Sequence, residues 1–223
     1  MGIHLEIEDK IITLFAAREA NAPIVYLNTV HGEGETIWDT CMKLPCSDFS
    51  LAAISNLDWN HDMSPWPVPP LDASDVPCTG GADAYLKLLT EKIVPEVEGS
   101  LGTKPAFSAL AGYSLAGLFA VYSVYKTDVF TRIASASGSF WFPDFTDFVK
   151  EQPMKAKPEK LYLSLGDKES HTRNPILATV EERTERLYGW YKERGIDTVF
   201  VHNQGNHFKE PAQRMAQGIQ WIL

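Results

Sequence analysis

The sequence is poor in the features that mark several classes of protein. Its 223 residues include three cysteines, Cys41, Cys46 and Cys78, whose number and spacing fit neither a disulfide framework nor a metal site. It has no apolar run long enough to cross a membrane, and its first residues lack the basic and then apolar pattern of a secretory signal. We therefore expect reduced thiols, a cytoplasmic protein and no membrane partner.

Basic residues are also scarce. The chain has 20 lysines and arginines against 29 acidic residues, a net charge of −9, and no basic patch. Nucleic acids bind through clustered positive charge, so the sequence disfavours them and we expect no nucleic-acid partner. Hydrophobic residues make up 44% of the chain, enough for a full core, and no repeat or linker divides it. We expect one domain over residues 1–223.

Strand patterns and helix patterns alternate along most of the chain. Strands are predicted at 3–8, 11–17, 23–27, 49–57, 106–111, 130–136, 160–165 and 198–201, and helices at 82–97, 115–122, 175–194 and 211–223. This order predicts an α/β fold with a mostly parallel central sheet, helices on both faces and ligands beyond the carboxyl ends of the strands. The connection from 145 to 160 is too short for a large lid.

The segment Gly112–Gly117 is the most informative motif in the chain. It reads Gly-Tyr-Ser-Leu-Ala-Gly, with Ser114 between a strand pattern and an apolar helix pattern. Small residues flank a nucleophilic serine where a strand turns sharply into a helix, because the backbone crowds itself there. The pattern predicts a serine nucleophile at Ser114. The alternative is a tight core turn whose serine caps the helix.

A serine hydroxyl needs a base to take its proton, and three histidines follow the motif. His207 lies in a glycine-containing loop between the last strand and the last helix, whereas His202 lies within the strand end. We therefore predict His207 as the base, ahead of His202 and His171. The acid that orients the base is expected after the strand at 160–165.

Two carboxylates compete for that role in the segment Gly-Asp-Lys-Glu at 166–169. The spacing from the glycine favours Glu169, and a one-residue bulge would put Asp167 in its place. Both alternatives remain open from the sequence. The order serine, acid, histidine is the one that α/β-hydrolases use.

Two backbone amides are candidates for an oxyanion hole. One is the N–H of Leu115, directly after the serine, and the other is the N–H of Glu33 in the loop at 30–34. The glycines of that loop allow the backbone to approach a substrate carbonyl closely. His31 in the same loop is interpreted as a packing residue.

Several motifs together resemble a known family. His31-Gly32 after a strand, the motif around Ser114, the stretch Ser-Ala-Ser-Gly-Ser-Phe-Trp at 135–141 and Gly-Asn-His at 205–207 resemble the esterase D and enterochelin-esterase-like branch of the α/β-hydrolases. The similarity runs from about residue 23 to the end. It implies an α/β-hydrolase fold and a serine esterase with nucleophile Ser114, base His207 and acid Glu169.

The chain departs from that branch in two respects. The residue two positions after the serine, usually glycine, is Ala116. The chain is also shorter than siderophore esterases with an additional amino-terminal domain, and its charge of −9 offers no basic cradle for a ferric catecholate. We therefore do not expect a siderophore substrate. An acyltransferase with the same catalytic residues and a non-catalytic binding protein are the alternatives to an esterase.

The substrate side is predicted from aromatic residues near strand ends. Trp59, Asn60 and Trp66 lie in a long loop at 58–80, and Trp141 follows the strand at 130–136. Such a mixture suits a small ester with a ring, while the alternative is a loop whose tryptophans cover the sheet edge. We expect no metal and no cofactor. The sequence does not indicate an oligomeric state.

Overall fold

The computed structural model describes residues 2–72 and 75–223. Residue 1, and residues 73–74 of the predicted long loop, lie outside the described residues. The strands are β1 Ile3–Ile7, β2 Lys10–Phe15, β3 Ile24–Asn28, β4 Ser50–Ser55, β5 Pro67–Val68, β6 Cys78–Thr79, β7 Ser108–Tyr113, β8 Arg132–Ala136, β9 Lys160–Gly166 and β10 Asp197–Asn203.

The helices alternate with these strands as the sequence predicts. They are α1 Gly34–Cys41, α2 Trp59–Asp62, α3 Ala82–Leu88, α4 Val94–Leu101, α5 Leu115–Ser123, α6 Phe145–Glu151, α7 Val180–Glu193 and α8 Pro211–Ile222. A π-helical turn, Leu89–Ile93, joins α3 to α4, so the helix predicted at 82–97 runs on to Leu101. It ends there because Gly102 adopts a left-handed conformation with φ of 69°.

Eight strands form one sheet in the order β1-β2-β4-β3-β7-β8-β9-β10. The first two pairings, β1 with β2 and β2 with β4, are antiparallel, and the five others are parallel. The carboxyl ends of β3, β7, β8, β9 and β10 therefore meet along one edge of the sheet. That edge carries the loops in which the sequence places the candidate site.

Helices cover both faces of this sheet and bury a core on each side. One core includes Leu118, Phe119 and Val121 of α5 and Leu187 of α7. The other is formed by α1 and α8, through Ile37, Cys41, Met215, Ala216 and Ile219. The predicted α/β fold is confirmed, and no large lid covers the sheet edge in the part of the chain that the structure describes.

The structure adds elements that the sequence patterns did not predict. Helix α1 begins at Gly34, where a Cβ would lie 2.2 Å from the Cβ of Ala53, so the glycine lets the helix start lie against β4. The predicted loop at 58–80 contains α2 and a two-stranded ribbon of β5 and β6. Among the described residues, no helix combines the length and the apolar character that a membrane crossing needs.

Candidate active site

The turn between β7 and α5 holds Ser114 in a strained conformation at the carboxyl edge of the sheet. Its φ of 58° and ψ of −123° lie outside the regions that most residues adopt. A Cβ at Gly112 would lie 2.3 Å from the carbonyl of Ala116, so only glycine fits at this position. Ala116 is tolerated in place of the usual glycine because its neighbour across the turn has no side chain.

The base candidate lies within reach of this serine. His207 Nε2 is 3.1 Å from Ser114 Oγ, a distance at which the imidazole can accept the hydroxyl proton. The hydroxyl of Tyr113 donates a hydrogen bond of 2.6 Å to the backbone carbonyl of His207, and the two rings lie 5.3 Å apart. The loop that carries the histidine is thus tied to the residue before the serine.

The structure brings Glu169, rather than Asp167, to the histidine. The Oε2 atom of Glu169 is 2.7 Å from His207 Nδ1, and the side chain of the glutamate is only 4% exposed. Asp167 instead accepts a hydrogen bond of 2.7 Å from the backbone N–H of Gly205, in the loop that carries His207. His202 is exposed and lies 3.8 Å from Glu181.

The environment of Glu169 favours its ionised form. Burial alone would raise its pKa, but the hydrogen bond and charge of His207, the amide of Gly166 and the hydroxyl of Ser137 together outweigh burial and hold the pKa below its ordinary value. An ionised carboxylate next to Nδ1 keeps the proton on that nitrogen. The tautomer that results leaves Nε2 free to act as a base.

The loop after β8 contributes two serines whose contacts the sequence did not predict. Ser139 Oγ lies 3.2 Å from Ser114 Oγ, and Ser137 Oγ donates a hydrogen bond of 2.8 Å to Glu169 Oε1. Ser137 has a φ of 48°, so this loop is also strained. The sequence signal for these serines is the Ser-Gly-Ser stretch at 137–139, which is part of the resemblance to the esterase family.

The two predicted oxyanion donors differ in their positions. Leu115 is the first residue of α5, where backbone N–H groups have no partner within the helix, and it lines the cavity that holds Ser114. Glu33 does not line this cavity. Its carboxylate turns back to accept hydrogen bonds from the amides of Val30 and His31, at 3.1 and 2.8 Å.

A cavity of about 690 Å³ opens at Ser114 and His207. Its wall combines apolar side chains with a few polar ones. The apolar residues include Val68, Leu71, Trp141, Leu177 and Phe208, and the polar residues include Asn60, Lys168 and His171. Phe208, next to the histidine, is 84% exposed. Asn60 and Trp141 therefore line the cavity, and their contact with a substrate stays a prediction.

The structure gives the two other predicted substrate residues packing positions. Trp66 donates from Nε1 to the carbonyl of Pro143 and packs against Phe142 and Phe148, outside the cavity. Trp59 is partly buried and packs against the core that also contains Leu118 and Phe119. Neither ring lines the cavity, so the structure places both against the core rather than at the cavity wall.

Among the residues that the structure describes, one group of possible metal ligands lies outside the cavity. Glu181, Glu185 and His202 each place one ligand atom within 4.8 Å of the others on α7 and β10. The hydroxyl of Ser170 already donates a hydrogen bond to Glu181. We assign no metal to this exposed group.

Comparison of the sequence with known proteins finds one family. A family profile described as "Putative esterase" matches residues 51–210. The uncharacterized protein YbbA of Bacillus subtilis is 22% identical over 173 residues, which are 72% of this chain and 68% of YbbA. Ferri-bacillibactin esterase BesA of the same organism is 29% identical over 141 residues, which are 60% of this chain and 48% of BesA.

Solved structures share the fold over nearly the whole chain. Siderophore hydrolase EstA from Aspergillus nidulans superposes with a TM-score of 0.76 and 19% identity, over 99% of this chain and 93% of EstA. An IroE-like serine hydrolase from Shewanella oneidensis gives a TM-score of 0.80 and 16% identity, over 99% of this chain and 79% of that one. At these identities the comparison shows a common fold.

Proposed function

Because the chain belongs to the esterase family and is a hydrolase that acts on esters, we propose that it cleaves a carboxylic ester through Ser114, His207 and Glu169. The observation that carries this proposal is the unbroken chain of contacts from Ser114 Oγ through the imidazole to the buried carboxylate, at 3.1 and 2.7 Å. The strained turn that exposes the serine at the cavity supports it further.

The proposed reaction has two halves. Ser114 Oγ attacks the ester carbonyl carbon while its proton passes to His207 Nε2, and the bond to the alcohol oxygen then breaks as the imidazolium returns the proton to it. Water attacks the acyl enzyme in the same way and releases the acid. The N–H of Leu115, which lines the cavity, is the proposed donor to the negative oxygen. The N–H of Glu33 does not line the cavity and stays a prediction as the second donor.

The cavity supports a small ester with an apolar or aromatic part. Trp141 and Phe208 contribute aromatic rings to the cavity wall, and Asn60 and Lys168 contribute polar groups. BesA is a ferri-bacillibactin esterase and EstA a siderophore hydrolase, so siderophores belong in a substrate screen although the sequence does not favour them. Product analysis with added alcohols separates hydrolysis from acyl transfer to an acceptor.

The decisive experiment is steady-state hydrolysis of short p-nitrophenyl esters and aryl esters. We expect turnover by the wild-type chain and a loss of at least about 10³-fold in Ser114→Ala, because no other hydroxyl occupies the strained turn. Ser100→Ala removes an exposed hydroxyl outside the cavity and serves as the matched control. Equal rates in the wild type and Ser114→Ala would reject the proposal.

Two further proposals concern the whole chain. We propose a single domain, supported by a sheet that draws its strands from residues 3 to 203. We also propose a cytoplasmic location, supported by three cysteines that are all free. Burial raises the pKa of Cys41 to about 12, so its thiol stays protonated and unreactive at neutral pH.

A further inference from the structure

Arg214 on α8 is a buried charged residue that the proposed reaction does not use. It is 2% exposed and does not line the cavity, so it cannot touch a substrate there. Its guanidinium nevertheless donates hydrogen bonds to Glu169 and to backbone carbonyls of the loop that carries His207. Burying the charge of an arginine costs desolvation free energy, which only specific hydrogen bonds and ion pairs can offset.

On the acid side, the guanidinium fixes one oxygen of the carboxylate. Arg214 Nη1 donates to Glu169 Oε1 at 2.9 Å and to Ser137 Oγ at 3.1 Å. Oε1 also accepts hydrogen bonds from the amide of Gly166 and the hydroxyl of Ser137, so three donors converge on it. With Oε1 held by three donors, Oε2 remains to face His207 Nδ1.

On the base side, the same guanidinium holds the loop that carries the histidine. Arg214 Nη2 donates to the carbonyls of Gln204 and Asn206, at 3.1 and 2.9 Å. Nη1 also lies 3.3 Å from the hydroxyl of Tyr113, which in turn donates to the carbonyl of His207. The loop is therefore anchored at the carbonyls of Gln204 and Asn206, which precede the histidine, and at the carbonyl of His207 itself.

The end of β9 is shaped to admit this guanidinium. A Cβ at Gly166 would lie 2.9 Å from Arg214 Nη2 and 2.2 Å from the carbonyl of Gly205. Glycine at this position thus leaves room for the arginine between the acid loop and the histidine loop. The arginine itself is fixed by α8, which packs on the sheet through Met215 and Ile219.

We propose that Arg214 is a positioning residue that sets the relative geometry of Glu169 and His207. A guanidinium is planar and its donors form a rigid fork, so one group can fix a carboxylate and two carbonyls relative to each other. The proposal rests on the proposed function, because it assigns Arg214 to the same acid and base. It adds a residue that acts without contact with the substrate.

A purely structural role would predict a different outcome, and the chain contains a matched residue. Arg132 at the start of β8 also pairs with a glutamate, Glu159, and donates to two backbone carbonyls, those of Ile222 and Leu223. It lies at the opposite end of the sheet from Ser114. Arg132→Met therefore measures what such a set of contacts contributes to stability alone.

The test compares Arg214→Met, Arg214→Lys and Arg132→Met in steady-state hydrolysis and thermal unfolding. We expect Arg214→Met to lower kcat about 10²-fold with KM changed less than about threefold, since a small misplacement of catalytic groups has this effect. Arg214→Lys keeps the charge but lacks the fork, and we expect a kcat about tenfold below wild type. Arg132→Met should retain wild-type kcat.

A second readout needs no substrate. The proton on His207 Nδ1, bonded to Glu169, should give a downfield proton NMR signal in the wild type that is assigned by its loss in His207→Asn. We expect this signal to be lost or shifted in Arg214→Met and kept in Arg132→Met. If the wild type hydrolyses no ester, the proposed function fails, and the NMR signal still decides the role of Arg214.

Several results would overturn the proposal. A folded Arg214→Met with wild-type kcat and an unchanged Nδ1 signal would show that the arginine only stabilises the fold. A loss confined to KM would assign it to binding instead. If Arg214→Met does not fold, Arg214→Lys decides the question. A wild-type kcat in Arg214→Lys would reject the role of the guanidinium fork, and a reduced kcat with an unchanged KM in the same variant would support it.

Discussion

The loops after β3 and β9 each present a glutamate near the carboxyl edge of the sheet, and the structure uses the two carboxylates in opposite ways. Glu33 bonds to amides two and three residues away in its own loop. Glu169 bonds to a histidine 38 residues away and to a serine 32 residues away. A local carboxylate stabilises a loop, whereas a carboxylate held by distant segments can be aligned with other functional groups.

The largest effect on kcat is expected from a substitution of Glu169, the carboxylate that contacts the histidine. Glu169→Gln should lower kcat about 10⁴-fold, because an amide neither fixes the productive imidazole tautomer nor stabilises the imidazolium. Glu33→Gln, which keeps the backbone N–H of residue 33, and Asp167→Asn remove carboxylates that do not reach the histidine, and each should change kcat by less than about threefold. Steady-state kinetics of the three variants makes the comparison, and a larger loss in Asp167→Asn than in Glu169→Gln would reverse our assignment of the acid.

A smaller effect is expected from one of the distant contacts of Glu169. Ser137→Ala removes a single donor from Oε1 and leaves the amide of Gly166 and Arg214 in place. A hydrogen bond to a charged group contributes about 1.5–3 kcal/mol, so we expect kcat to fall about tenfold through looser alignment. Ser100→Ala, which removes an exposed hydroxyl outside the cavity, is the control. An unchanged kcat in Ser137→Ala would show that this donor does not align the acid.

The smallest effect concerns the acid stability of the fold. The pKa of Glu169 is lowered in the folded chain, so its contribution to stability is present above its ordinary pKa of about 4.5 and is lost as the pH falls through the lower, folded-state value. Between pH 5 and 3, the free energy of unfolding should therefore fall more steeply in the wild type than in Glu169→Gln. Chemical denaturation at several pH values measures both slopes, and equal slopes would contradict the lowered pKa.

The sequence predicted most of the sheet and the position of Ser114 and His207 at its carboxyl edge, because these depend on local patterns. A strand, a turn of small residues and an apolar helix surround Ser114, and His207 follows the last strand in the loop where such a base belongs. The choice between Glu169 and Asp167 could not be made from spacing alone. It depends on which side chain points to the cavity and which points to the amide of Gly205.

Other parts of the site depend on contacts that no local pattern announces. Arg214 follows the histidine by seven residues in an amphipathic helix, and only the folded chain shows that its guanidinium turns back to the acid. Trp66 was predicted at the substrate because tryptophan near a strand end suits both a pocket and a core. Its packing against Phe148, 82 residues further along the chain, decides between them.

The central claim is that Ser114, His207 and Glu169 act as one catalytic unit, and covalent labelling tests it most directly. We expect a fluorophosphonate to add one adduct per chain, which peptide mass spectrometry locates on Ser114. The labelling rate should fall sharply in Glu169→Gln and stay near the wild-type rate in Glu33→Gln. An adduct on another residue, or equal rates in both glutamate variants, would contradict the account.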